Sequence, residues 1–184
     1  MIIALIAGST AFSQKKASGG DSYPFGIGPF FLFKGGVNAN DVPEGIKNGF
    51  NFNGIPDLGA AFYIPFTQET LLGLEVDLAY TKYTYELKFT HQEDNPWSNE
   101  FGFITIGPSL HLYGFLLGFE FGMPIHAGSD EDAFDYDAAD VSPFIAARIG
   151  AMIPVYQDEF GRLNIDIRGG YFLTGLLKDL EGDR

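Results

Sequence analysis

An all-β fold, an eight-stranded antiparallel up-and-down transmembrane barrel with its apolar side turned outward, is predicted by three observations. The first is the stretch FGFITIGPSLHLYGFLLGFEFGMPIHA from Phe101 to Ala127. Its first half sets Ile104, Ile106, Pro108, Leu110 and Leu112 on one face and Phe103, Thr105, Gly107, Ser109 and His111 on the other. After Tyr113-Gly114 the alternation resumes, with Phe115, Leu117, Phe119, Phe121, Met123 and Ile125 against Leu116, Gly118, Glu120, Gly122, Pro124 and His126. Period-two alternation on both sides of two turn residues is a β-hairpin, and pairing Leu112 with Phe115 gathers the bulky apolar residues on one side. The second observation is that the opposite side is small, Gly-rich and partly charged. That suits the inside of a narrow barrel, and lipid is the natural solvent for the other face. The third is that the connections alternate long and short along the chain, as in barrels with short turns at one end and long loops at the other.

Composition fits this architecture and excludes several others. The 184 residues include 19 Phe, 9 Tyr and 24 Gly, an aromatic and glycine load unusual for a packed globular core, with no linker-like tract to divide domains. No run of about 18 or more apolar residues is present, so a membrane-spanning chain of this sequence must span as a closed barrel. The absence of Cys excludes a disulfide scaffold and a thiolate metal site. A formal net charge of −13, with no basic patch, argues against nucleic acid as a partner.

Taken in order, residues 1–13 read as the end of a secretory signal peptide. Ile2 to Gly8 is a short apolar core, and Ala11-Phe12-Ser13 places small residues before a cut at Gln14. The competing reading of this segment is a first strand. Residues 14–24 are polar and rich in breakers, a lead-in ending at Pro24, and residues 25–184 form the barrel domain. The first predicted strand, Phe25 to Gly36, has Lys34 on its inner face. A connection from Val37 to Asn53 follows, then a strand from Gly54 to Phe66 with Asp57 inward. Thr67-Gln68-Glu69 is a short turn, and the strand from Thr70 carries Glu75 and Asp77 inward, opposite Ala61 and Gly59. Near Thr81-Lys82 the apolar phase flips to Tyr83, Tyr85, Leu87 and Phe89, which predicts a bulge or an exit from the membrane. Residues 91–99 are a polar loop before the Phe101 hairpin.

Gly128 to Asp140 is a loop with six acidic residues. It fails the calcium-loop pattern, because Phe134 stands where a third ligand belongs and no Gly follows. The next strand places Val141, Pro143, Ile145, Ala147, Ile149, Ala151 and Ile153 outward with Arg148 inward. After a turn at Gln157 to Gly161 comes a strand with Asn164, Asp166 and Arg168 inward. Seven strands are thus countable, an even number is required, and the polar stretch LLKDLEGDR holds no further one. The expectation is a barrel whose closing strand lies beyond Arg184.

The sequence AFSQ, the repeated strand pattern in FGIGPFF and ITIGPSLHLYG, and the segment SPFIAARIGAMIPV resemble small outer-membrane β-barrel proteins of Bacteroidota-type bacteria. These are the PorT-like or "outer membrane protein beta-barrel domain" group, and the resemblance covers roughly residues 25–175. It implies an eight-stranded barrel in the bacterial outer membrane, delivered by the outer-membrane assembly machinery and ending in an aromatic-tipped strand.

The candidate site is the inward charge set Lys34, Asp57, Glu75, Asp77, Glu120, Arg148, Asp166 and Arg168. Eight strands leave a bore about wide enough for side chains to fill, and charges held there must pair. The expected result is a plugged lumen, with a small ion-conducting pore as the alternative. Ser109, His111 and Glu120 share the inner face and invite a lipid-hydrolase triad. In the predicted register, however, Glu120 lies opposite Gly107, roughly 13 Å along the strand from His111 at about 3.3 Å per residue, too far for a general base to be oriented. No enzyme, no cofactor and no metal are expected. Membrane lipid and the assembly machinery are the expected partners, the sequence naming no other protein. A soluble lipocalin-like barrel is the remaining alternative, and it requires the apolar face to line a ligand cavity. The role expected is structural, adhesive or in assembly.

Overall fold

Ten strands pair into a single antiparallel sheet that curls round on itself. The computed structural model describes residues 2–14, 25–38, 44–66, 72–89, 92–129, 137–157 and 161–176. The strands are β1 (Ile2–Gln14), β2 (Gly26–Asn38), β3 (Ile46–Asn48), β4 (Phe50–Phe52), β5 (Asp57–Pro65), β6 (Leu72–Phe89), β7 (Gln92–Leu112), β8 (Phe115–Ser129), β9 (Phe144–Gln157) and β10 (Gly161–Phe172). Eight of these pair in the ring β1-β2-β5-β6-β7-β8-β9-β10, and β10 returns to β1. The two short strands lie outside the ring, β4 against β2 and β3 against β6. Among the described residues no helix is long and apolar enough to cross a membrane.

The register fixes the geometry of the ring. Followed pair by pair, Gly26 leads to Tyr63, Glu75, Ser109, Gly118, Arg148, Gly170 and Ala4, and then back to β2 at Gly36. The path regains its own strand ten residues from its start, from position 26 to position 36. A shear of ten over eight strands, with spacings of about 3.3 Å along and about 4.8 Å between strands, tilts the strands about 40° from the axis.

Within the exposed apolar belt, β2 and β5 to β10 follow one inside–outside rule. Lys34, Asp57, Glu75, Asp77, Ser109, His111, Glu120, Arg148, Asp166 and Arg168 are buried. Between them, Ile27, Phe31, Leu58, Phe62, Leu78, Ile104, Leu117, Phe119, Ile149 and Ile165 are exposed. The hairpin turn is as tight as the alternation requires. Tyr113 and Gly114 both take positive φ, 53° and 90°, the twist that matches flanking strands in a two-residue loop.

Several expectations are corrected. The chain contributes eight long strands rather than seven, and the eighth is β1, the segment read as a signal remnant. A short Ile- and Ala-rich run serves a strand as readily as a signal core. Here it pairs on both sides, Ile6 opposite Lys34 on β2 and opposite Arg168 on β10. Residues 2–14 thus stand between β10 and β2 in the ring. No bulge interrupts Thr81-Lys82, because the β6–β7 ladder runs unbroken from Leu72↔Leu112 to Leu87↔Trp97. Tyr83 consequently points inside. Residues 92–99 continue β7, extending that hairpin to Phe89↔Gln92, so they are not a loop.

The β5–β6 register is displaced by one pair, Glu75 facing Tyr63 and Asp77 facing Ala61, because the connection is longer than the predicted turn. The Val37–Asn53 connection contains β3 and β4 where no strand was expected. Most of the lead-in, Asp130 to Tyr136 of the acidic loop, and residues 177–184 lie outside the described residues. The acidic segment is described only from Asp137, where Ala138–Asp140 forms one 3-10 turn.

Candidate functional site

The interior is built where large inward side chains meet glycines on the neighbouring strand. A Cβ on Gly107 would strike the Arg148 guanidinium, one on Gly122 would strike the Phe144 ring, and one on Gly59 would strike the Phe30 ring. The Gly-rich inner face is therefore a set of seats for bulky partners, the small–large complementarity that fills a narrow barrel. We expect Gly107→Val to cost about 1–3 kcal/mol by overpacking, measured as a shift in urea midpoint. Gly54→Val, with open space at its Cβ position, should leave that midpoint unmoved.

All eight residues of the predicted charge set are buried, each at 6% exposure or less, and they fall into two linked groups. Arg168 on β10 is the centre of the first. It donates to Asp77 at 2.5 Å, to Glu75 at 2.8 Å and to its strand neighbour Asp166 at 3.2 Å. Arg148 on β9 reaches across the lumen to β6 and β7, donating to Asp77 at 3.0 Å and to the Gly107 carbonyl and Ser109 hydroxyl at 2.9 Å each. Both guanidiniums thus converge on Asp77 Oδ2, the charge-assisted arrangement that buried carboxylates need.

The second group lies nearer the long-loop end. Lys34 pairs with Asp57 at 2.8 Å and stands 3.5 Å from the centroid of the Tyr83 ring, an ion pair backed by a cation–π contact. Asp57 also accepts the Lys82 backbone N–H at 3.1 Å. Glu120 joins the groups, 3.6 Å from Arg148 and accepting from the Tyr83 hydroxyl at 3.4 Å. Five carboxylates (Asp57, Glu75, Asp77, Glu120, Asp166) thus share the lumen with the three cations Lys34, Arg148 and Arg168. Arg162, half-buried on the inward row of β10, donates to Asn164 and Met152 and adds a fourth cation at the turn end. Carboxylates still outnumber cations, and each of the three buried cations serves more than one acidic or aromatic partner.

An aromatic layer packs inside the loop end beyond these charges. Tyr83, Phe103, Phe144 and Phe172 meet edge-on or tilted with centroids 4.7–5.9 Å apart, the arrangement that aromatic quadrupoles favour. Val141, expected outward, is instead buried in this cluster with Leu176, Phe101 and Ala146, because it precedes the β8–β9 ladder and is not held to its parity. The chain after β10 is tied down by Ser142 N–H donating to the Leu176 carbonyl at 2.7 Å and Leu173 N–H to the Ile145 carbonyl at 2.8 Å.

The residues weighed for acyl transfer engage the charge network rather than one another, Ser109 and Glu120 both facing Arg148. Ser109 Oγ accepts from Arg148. His111 Nε2 lies 3.0 Å from Glu75 Oε2, close in distance but off the line of a hydrogen bond. Glu120 faces Arg148 and Tyr83. Sequence reasoning left Tyr83 out of the interior and did not join Ser109 or His111 to the charge network. Holding the period-two phase from Glu75 and Asp77 through Thr81 would have found Tyr83. No group of three metal-ligating side chains among the described residues is arranged to hold an ion.

Comparison with known proteins adds no assignment: no family model, no curated protein and no solved structure matches this chain. Fold and site together define the class, an antiparallel β-barrel-like protein with charges inside and apolar residues outside.

Proposed function

We propose that this chain is an integral β-barrel of a bacterial outer membrane, with a plugged lumen and a structural, adhesive or assembly role. The observation that carries the proposal is the exposed apolar belt. On β8 its outward members run from Phe115 to Ile125, and the ten steps between them rise about 25 Å at a 40° tilt. That is the height of the apolar band of outer-membrane barrels, about 25 Å. Aromatic side chains flank the belt at both ends. Phe25, Phe66, Tyr113, Phe115 and Tyr156 are exposed at the turn end, and Phe33, Phe50, Phe52 and Tyr171 at the loop end, as interfacial girdles require. The resemblance to small Bacteroidota-type outer-membrane barrels points the same way, with membrane lipid and the assembly machinery as partners.

Charge inside and apolar residues outside disfavour the lipocalin-like alternative, which needs the reverse. The ion pairs and aromatic layer favour a plug over an open pore. The test is refolding from urea into detergent-free phosphatidylcholine vesicles. The belt predicts stable co-flotation with the vesicles and protease resistance of the strands. A monodisperse protein remaining in buffer would refute the membrane reading.

A further inference from the structure

Where β9 begins, the outer surface of the barrel carries a trough of about 560 Å³. One wall is a continuous ladder row, Leu78, Ile106, Phe121 and Ile145, each paired to the next across β6, β7, β8 and β9. The opposite wall is Ile104 and Met123, paired across β7 and β8, with Pro143 beyond them. The floor is the intervening row Thr105, Gly122 and Phe144, whose side chains belong to the interior. The β8–β9 ladder stops at Gly122↔Phe144, and Pro143 has no N–H with which to extend it. The notch left there is closed by Thr174, whose hydroxyl accepts the Ile145 N–H at 2.9 Å. That hydroxyl keeps its own hydrogen to donate elsewhere.

We propose that this trough seats one acyl chain of a glycerolipid, with the lipid's ester carbonyl at Thr174. The inference rests on the membrane reading and goes beyond it, assigning a defined lipid site within the belt. Three features select this occupant. The trough is continuous with the apolar belt, so a chain enters it from bulk lipid without crossing water. It runs three strand spacings, about 15 Å, between walls two residues and so about 7 Å apart, a track for a single flexible chain rather than a helix, whose diameter is about 10 Å or more. Its apolar walls end at one hydroxyl, which matches the polarity change from acyl chain to ester.

The test uses the full chain in a Trp97→Phe background, in vesicles of ether-linked phosphatidylcholine carrying a graded fraction of brominated-chain ester phosphatidylcholine. Reporters are Ile106→Trp in the trough wall and Ile149→Trp on the open belt. Both are expected to be quenched. Half-maximal quenching at position 106 should need about tenfold less of the brominated ester lipid than at 149, a preference of about 1.4 kcal/mol. Thr174→Val should bring the two curves together. Leu78→Trp replaces Ile106→Trp if that variant does not fold. Equal curves at trough and belt overturn the lipid site while leaving the membrane reading intact. Absence of quenching at both overturns the membrane reading and the site with it.

Discussion

Arg168→Ala is expected to lower the unfolding free energy by about 3–5 kcal/mol, because it strands buried carboxylates rather than merely deleting a contact. Arg168 is 2% exposed and donates to Asp77, Glu75 and Asp166. Its loss leaves five lumen carboxylates facing Lys34, Arg148 and, at the turn end, the half-buried Arg162. Asp166→Asn, which keeps the shape and removes one of the excess charges, should be far milder. The asymmetry between cation and carboxylate is the signature of the network. Urea unfolding in detergent measures both variants, and equal losses would contradict it. Single-channel recording on Arg168→Ala should find no steady conductance, since the aromatic layer at the loop end is untouched. Large stable channels in the unmutated protein would overturn the plug.

The second large effect belongs to the belt. Phe119→Arg and Ile149→Arg, each in the middle of its strand's exposed apolar set at 50% and 65% exposure, are expected to cost about 2–4 kcal/mol in phosphatidylcholine vesicles. Tyr113→Arg, at the hairpin turn, should cost about 1 kcal/mol or less, because its head reaches water. Folding titrations in vesicles give the comparison, and a cost at Tyr113 equal to that at Ile149 would exclude a lipid-facing belt. In an ordinary soluble barrel all three positions would tolerate Arg about equally, since exposed substitutions there usually stay within about 0.5 kcal/mol.

The charge set was legible because burial in a barrel follows parity. Once Leu110 and Leu117 are outward, Ser109, His111 and Glu120 must be inward, and the same count along each strand reaches Glu75, Asp77, Arg148, Asp166 and Arg168. Parity says nothing about which inward residues touch. That depends on register across several strands, and one displaced pair on β5–β6 moved Glu75 from Ala61 to Tyr63. It also depends on reach. Arg148 on β9 finds Asp77 on β6 only because Gly107 leaves the path open between them.

What the sequence determined by itself was therefore local and periodic: the seven long strands from Phe25 onward though not all their bounds, the turn at Tyr113-Gly114, the two faces, and the identity of the eight lumen charges. These follow from a side-chain period of two and from the backbone freedom of glycine, which act within a few residues. Tertiary structure alone decided three things. It placed β1 between β10 and β2, since an Ile- and Ala-rich run has no strand character until neighbours supply its hydrogen bonds. It carried Tyr83 inside, because the unbroken β6–β7 ladder outranks the apolarity of a single side chain. It brought two guanidiniums onto one carboxylate oxygen of Asp77, a contact between residues 71 and 91 positions apart in the chain, set by a shear that sums the registers of all eight strand pairs.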